Sequence, residues 1–337
     1  MSRILVTGSA GFIGSHLVDA LIQQKHTVYG IDNFSGGKEE NITPQAKRNF
    51  YKCDLRRRNV TNLVMRIARP DIVYHVAAFA HEGLSQFAPT MIIENNVNAS
   101  MNVLVAAIRQ NIKRFVFTSS TSVYGEQPVP FPEDAPRKPA DIYGVTKAAF
   151  ENMLEIMSGV YGFEYVIIRP HNVYGERQNM ADPYRNVIAI FMNMLLQDKR
   201  FYIYGDGEQR RSFSHVDDVV RAIVEAGFRK INKEIINIGP TRDYSINDLA
   251  HRLLKISGKT HILPIHIDNR PAEVKHAYCT NDKAKRLLDY KTTIKFNDGL
   301  KRMWEWAKKM GPQEPKYLPQ LELTMKDTPK TWIDHLI

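Results

Sequence analysis

A tyrosine and a lysine four residues apart, Tyr143 and Lys147, stand at the start of a stretch that reads as a helix after Asp141. At that spacing the two side chains lie one above the other on one helix face. A phenol with an unperturbed pKa of about 10 is a poor base at neutral pH. An ammonium one turn away favours the phenolate and brings it toward working range. The same pattern also describes an ordinary surface pair, so its surroundings decide what it means.

Those surroundings alternate strand and helix. Residues 3–7 form an apolar strand, followed by Gly8, Gly11 and Gly14 in a G-x-x-G-x-x-G turn and an amphipathic helix to residue 22. Strand, glycine turn and helix are the context of a dinucleotide fingerprint. Gly8 allows the tight turn, Gly11 a close backbone approach to a pyrophosphate, and Gly14 close helix–strand packing. The helix start, with Phe12 and Ile13, offers free N–H groups to phosphate. A second strand, 27–31, ends on Asp32, followed by Asn33 and a glycine turn. A carboxylate there accepts both ribose hydroxyls and repels a 2′-phosphate, which points to NAD rather than NADP.

A third strand, 49–53, leads to Asp54 and Leu55, placed to meet the adenine edge or simply to end the strand. Helix 60–68 and strand 71–75 follow, then Ala77 and Ala78, small enough for the backbone to pass close to a cofactor. His75 reads as a packed strand-end residue. A helical pattern over 94–109 has Asn95 near its start, strand 114–118 ends on Ser119 and Ser120, and strand 165–169 leads to Pro170 and Asn172. This alternation predicts an α/β fold, a Rossmann-type doubly wound parallel sheet, with its ligand site beyond the strand C-termini. The rhythm loosens after Gly175, which predicts a smaller α/β C-terminal substrate domain. Residues 1–178 form the cofactor domain, with 214–241 returning to it as helix 216–226 and strand 235–238. Residues 179–213 and 242–337 form the substrate part and a tail.

Composition narrows the classes. At 337 residues, 43% hydrophobic and 24% charged, the chain suits a globular protein with a sizeable core. Its apolar runs are too short to span a bilayer, and residues 1–3 run straight into a strand, leaving no secretory leader. Two cysteines, Cys53 and Cys279, fit a reducing cytoplasmic setting and exclude a multi-cysteine zinc site. His261 and His266 lack ligand-spaced partners, so no metal is expected. The net charge of +10 is spread along the chain, with Arg56 to Arg58 the only run of three. That spread suits a small anionic substrate better than nucleic acid.

Gly8-x-x-Gly11-x-x-Gly14, Asp32, Ser120 and Tyr143-x-x-x-Lys147, in this order, resemble the extended short-chain dehydrogenase/reductase family. Residues 169–175 (RPHNVYG) and 211–218 (RSFSHVDD) make the chain similar to its nucleotide-sugar branch, close to the UDP-glucose 4-epimerases, over residues 3 to about 308. The resemblance implies that Tyr143 takes the proton from a sugar hydroxyl, Lys147 holds the nicotinamide ribose and tunes the phenol, and Ser120 bonds the same hydroxyl. Hydride then passes to NAD, giving a 4-keto sugar that rotates and is reduced on its other face. The cofactor site would include Asn33, Asp54, Leu55, Ala77, Ala78, Asn95 and Pro170. The UDP group would be held by Asn172, Arg211, Arg270 and Glu273, with His171 near the nicotinamide or simply packed. Members of the family pair through two helices, here 95–109 and 143–161, implying a homodimer.

Two absences and one small residue refine this. Family dehydratases carry Asp-Glu where Thr121-Ser122 stand, and decarboxylases carry Glu at Ser122, so Tyr143 is expected to be the only acid/base at hand. That favours an epimerase over a dehydratase, decarboxylase or 4-keto reductase; a non-catalytic NAD-binding module is a remoter alternative. Many 4-epimerases have a lysine near the sugar where this chain has alanine, within Ala78-Phe79-Ala80-His81. Ala277 stands where strictly hexose-specific relatives have a bulky tyrosine, which implies room for a 2-acetamido group and action on UDP-GlcNAc/UDP-GalNAc.

Overall fold

The computed structural model describes residues 1–271, 273–325 and 328–337. Seven strands form the central sheet: β1 (Arg3–Thr7), β2 (Thr27–Asp32), β3 (Phe50–Lys52), β4 (Ile72–His75), β5 (Arg114–Thr118), β6 (Glu164–Pro170) and β7 (Glu234–Ile238). Their order is 7-6-5-4-1-2-3 and every pairing is parallel. This is a Rossmann-type doubly wound α/β fold. Chain direction reverses its sideways drift between β1 and β4, which opens a crevice at the C-terminal ends of those strands.

The strands are apolar on both faces because both faces are covered. Ile4, Val6, Tyr74, Val116 and Ile168 pack with α1 (Phe12–Gln23) and with the helix Val216–Phe228. Leu5, Val73, Phe115, Phe117 and Ile167 point the other way, against α2 (Arg58–Ala68), α3 (Ala99–Ile108) and α4 (Ile142–Tyr161). The period-2 alternation of the strands sorts these residues to two cores.

A further core lies beyond the sheet's C-terminal edge. It joins Ile188, Phe191 and Leu195 of the helix Val187–Leu196 to Leu249 and Leu253 of Ile246–Ser257 and to Leu300, Met303 and Trp304 of Phe296–Met310. Ser245 and Asp248 cap the middle helix reciprocally.

One detail departs from the sequence reading. The helix expected over 94–109 starts earlier, at Pro89–Ile93, and passes through a π-helical turn at Glu94–Asn98 before α3. The tail packs on the body of the same chain. The Glu322 carboxylate accepts the Thr90 and Met91 N–H groups, each at 2.8 Å, and Trp332 is buried edge-on to Phe87 and Tyr184.

Candidate active site

The glycine turn closes by contact on two sides. Gly8 has φ +69°, and a Cβ there would fall 2.9 Å from the Ala77 backbone. A Cβ on Gly14 would lie 2.0 Å from the Gly8 carbonyl oxygen, which no side chain tolerates. Gly11 caps α1 without a side-chain partner, so the first N–H groups of that helix, at Phe12 to Gly14, remain free for an anion. Asp32 is buried, its two oxygens accepting the Ala10 N–H at 3.0 Å and the Phe34 N–H at 2.7 Å. Burial pushes its carboxyl up, and those N–H groups oppose the shift.

Around this turn lie Asn33, Leu55, Ala77, Ala78 and Pro170. Asp54 lies there too, but Arg56 holds its carboxylate at 2.7 Å and keeps it below the usual range. Asn95, in the π turn, donates to the Met91 carbonyl. Its neighbour Asn96 fixes the loop after β4, accepting the Phe79 N–H at 2.7 Å and donating to the Phe79 carbonyl and the Thr146 hydroxyl.

The Tyr143–Lys147 pair is set by α4. Asp141 caps it by accepting the Gly144 N–H at 2.7 Å, which fixes where the helix begins and hence the height of Tyr143. Tyr143, Lys147 and Glu151 follow at intervals of four and all are buried against the sheet. The Lys147 ammonium donates to the Thr118 carbonyl at 2.8 Å, at the end of β5. Burial brings Lys147 down to about 7, with Glu151 opposing and Arg185 adding to the fall. Glu151 accepts from Ser119 at 2.5 Å and pairs with Arg169 at 2.5 Å, locking the strand end that presents Ser120.

The phenol does not behave as the Tyr-x-x-x-Lys spacing suggests. Burial pushes Tyr143 well above its ordinary value, Glu82 and Asp141 add to the rise, and Arg185 and the Ser120 hydroxyl oppose it. Lys147 lies 5.8 Å from the ring centroid and turns to Thr118 instead. Of the nearby cations, Arg185 opposes the rise, while the Lys147 ammonium is engaged by Thr118.

The expected substrate residues gather at the other end. A two-residue strand, His276–Ala277, pairs with Arg210–Arg211 and sets Ala277 beside Arg211. Arg270 donates to Glu273 at 3.0 Å and lies over the Tyr204 ring at 4.5 Å. Burial would raise the Glu273 carboxyl, but Arg270 and Arg211 outweigh it and hold it below the usual range. Asn172 donates to the Ser212 carbonyl at 3.2 Å. Tyr143, Lys147, Ser120 and every expected cofactor and substrate residue line one cavity of about 420 Å³. Arg270, Glu273 and the glycine turn thus line the same cavity as the phenol, although they are far apart in the chain.

The family model described as the NAD dependent epimerase/dehydratase family matches residues 4–239. The chain belongs to that family. It is 36% identical, over 90% of its length and 98% of the relative's, to a putative UDP-glucose 4-epimerase of Methanocaldococcus jannaschii. A UDP-N-acetyl-alpha-D-glucosaminuronate decarboxylase of Bacillus cytotoxicus is 31% identical, over 91% of this chain and 98% of that one. Among solved structures, the UDP-glucose 4-epimerase of Thermotoga maritima with UDP-glucose superposes with TM-score 0.86 at 35% identity, covering 91% of this chain and 99% of that one.

NAD is the cofactor of this epimerase/dehydratase, and the residues fit it. The Gly8–Gly14 turn leaves a cradle that a Cβ would fill, the α1 N-terminus is uncapped, and Asp32 closes the strand end. His171 adds to this: it lines the cavity with both ring nitrogens unpartnered, and burial brings it down to about 4, so it stays neutral. His75 is buried between Thr7 and Ser100, at 2.7 Å from each, and belongs to the core.

The family motifs did not reveal Glu82, Asp141, Arg185 or Trp332, all of which line the same cavity. The Glu82 carboxylate accepts from the Ser122 hydroxyl, which is 2.9 Å from the Ser120 hydroxyl. Asp141 is pushed up to about 7 by burial and then by Glu82. Tyr143 is therefore not the only acid/base at hand. Glu82 arrives from the loop after β4, where no spacing rule connects it to Ser122. His81 does not replace the absent lysine, because it is buried and held by Asp182 at 2.8 Å. No group of ligand residues that could hold a metal occurs among the described residues.

Proposed function

We propose that this enzyme is an NAD-dependent 4-epimerase of UDP-hexoses. It would interconvert UDP-glucose and UDP-galactose and, through the space beside Ala277, UDP-GlcNAc and UDP-GalNAc. One observation carries the reading: Ser120 and Tyr143 line the same cavity as Arg211, Arg270 and Glu273, as a site for a sugar joined to a diphosphate requires.

In this reading Arg211 and Arg270 neutralise the diphosphate, Asn172 contacts it, and Glu273 accepts the uridine ribose hydroxyls. Gly8 to Gly14, Asp32 and the neighbouring loop residues hold NAD, which supplies the acceptor and donor of hydride. Ser120 and Tyr143 bond the 4-hydroxyl, and Tyr143 removes its proton as the carbon is oxidised. Lys147 anchors the nicotinamide ribose from its place below the phenol. The positive charge of oxidised NAD, once bound, would add to that of Arg185 in favouring the Tyr143 phenolate. The enclosed site retains the 4-keto sugar until the proton and hydride return.

A second reading, a 4,6-dehydratase, draws on Glu82, which brings a carboxylate to Ser122 from another loop. Proton NMR of UDP-glucose incubated with the protein, without added cofactor, separates the two. A C4 epimer supports the epimerase; a 6-deoxy-4-keto product supports the dehydratase and ends the first proposal.

Ala277→Tyr tests the sugar range. The ratio of kcat/KM for UDP-GlcNAc to that for UDP-glucose should fall at least about tenfold, since the phenol fills the space a 2-acetamido group needs. An unchanged ratio would remove Ala277 from that role.

We also propose a homodimer and a cytosolic setting. Val145, Ile156 and Val160 form an exposed apolar stripe at helical spacing on α4, and Cys53 and Cys279 are free, buried thiols. No helix of the described residues is long and apolar enough to cross a membrane. Light scattering that returned the mass of one chain would end the dimer proposal.

A further inference from the structure

Glu82 lines the cavity. Its carboxylate is bonded to Ser122, and through that hydroxyl to Ser120, so it lies within two hydrogen bonds of the reaction centre. Its charge is felt by Tyr143 and Asp141 on one side and by Arg211 and Arg270 on the other. A sugar reaching from the diphosphate arginines to Tyr143 must pass it. Glu82 itself is exposed to the cavity, and Ser122 is the only donor among the described residues that it bonds.

The cations nearby are already engaged. Arg185 donates to the Ala80 carbonyl at 2.7 Å and lies 3.8 Å from Asp182, while Lys147 is held by Thr118. Arg211 is bonded to the Arg210, Val274 and Lys275 carbonyls, and Arg270 to Glu273. Asp141 and Asp182 line the same wall. Glu82 is thus a carboxylate lining this cavity with no cation in ion-pair range among the described residues.

We propose that Glu82 is a specificity-determining residue that restricts the sugar to neutral hexoses and N-acetylhexosamines and excludes uronates. It accepts hydrogen bonds from sugar hydroxyls or an amide N–H, whereas a carboxylate on the sugar meets a like charge in the same cavity. At the effective dielectric of a protein surface, like charges about 6 to 12 Å apart repel by an amount that corresponds to roughly ten- to a hundredfold in affinity. The proposal rests on the reading of the cavity as a UDP-sugar site. It sets this chain apart from family members whose substrates are uronates, and disfavours a decarboxylase role for it.

The test is calorimetric binding of UDP-glucose, UDP-GlcNAc and UDP-glucuronate to the NAD-loaded protein, wild type and Glu82→Gln, followed by NMR of the products. Wild type should bind UDP-glucuronate at least tenfold more weakly than UDP-glucose. Glu82→Gln, which keeps shape and loses charge, should narrow that gap to under threefold, chiefly by tightening the uronate. Equal binding by wild type, or a gap unchanged in Glu82→Gln, would overturn the proposal. Glu82→Ala should narrow the gap as well, and melting temperatures identify any variant that fails to fold. Epimerisation is read separately: if UDP-glucose binds but no epimer forms, the assigned reaction fails while the charge preference stands or falls on the binding ratio.

Discussion

Tyr143→Phe should reduce epimerase kcat by about a thousandfold while leaving NAD bound, because it removes one oxygen from a site otherwise unaltered. General acid–base groups contribute about 10² to 10⁴ to such steps. Tyr143 is the phenol that meets Ser120 at the end of β5. The ring is buried and packed, so phenylalanine fills the same volume. Asp141 still caps α4, and Lys147 still reaches Thr118. The measurements are steady-state kcat, cofactor content of the purified variant and its melting temperature. Retained activity would transfer the proton to another group, and Glu82 or Asp141 would be the first to test.

Gly14→Ala should abolish NAD binding and destabilise the fold. The added methyl carbon would lie 2.0 Å from the Gly8 oxygen and 3.2 Å from the Ser9 Cα, backbone atoms of the phosphate turn itself. Relief requires α1 to move off β1, at about 1–3 kcal/mol by comparison with other overpacked sites. It also misdirects the N–H groups that meet the pyrophosphate. We expect at least a hundredfold loss of NAD affinity by fluorescence titration and a lowered melting temperature. Gly159→Ala is the control: nothing lies within 4 Å of its added Cβ, and replacing a helical glycine should raise stability slightly. Normal NAD binding by Gly14→Ala would refute the assignment of that turn.

These two sites were legible in the sequence for a shared reason. A glycine turn between strand and helix, and a Tyr–Lys pair one helical turn apart, are constrained within a few residues of chain. The parallel sheet was legible too, since strands buried on both faces alternate with amphipathic helices, and β5 appears over the residues expected, Arg114–Thr118.

What escaped was set by contacts between distant segments. Glu82 meets Ser122 across 40 residues, and Trp332 comes back to line the cavity beside Gly83 and Arg270. Neither follows a period or a motif. The electrostatics escaped as well: spacing places Lys147 near Tyr143, but only packing shows the ammonium turned to Thr118 and the phenol raised by burial. The π turn at Glu94–Asn98 has no residue signature of its own within a helical pattern, so spacing alone predicts plain helix there.

The most direct test of the central claim follows the hydrogen on the reacting carbon. UDP-glucose deuterated at C4 should be converted by the protein, as purified and without added cofactor, into UDP-galactose that keeps deuterium at C4. Retention means the hydride left C4 and returned to it without exchanging with solvent. Absence of UDP-galactose, loss of the label to solvent, or its appearance at another carbon would contradict the account.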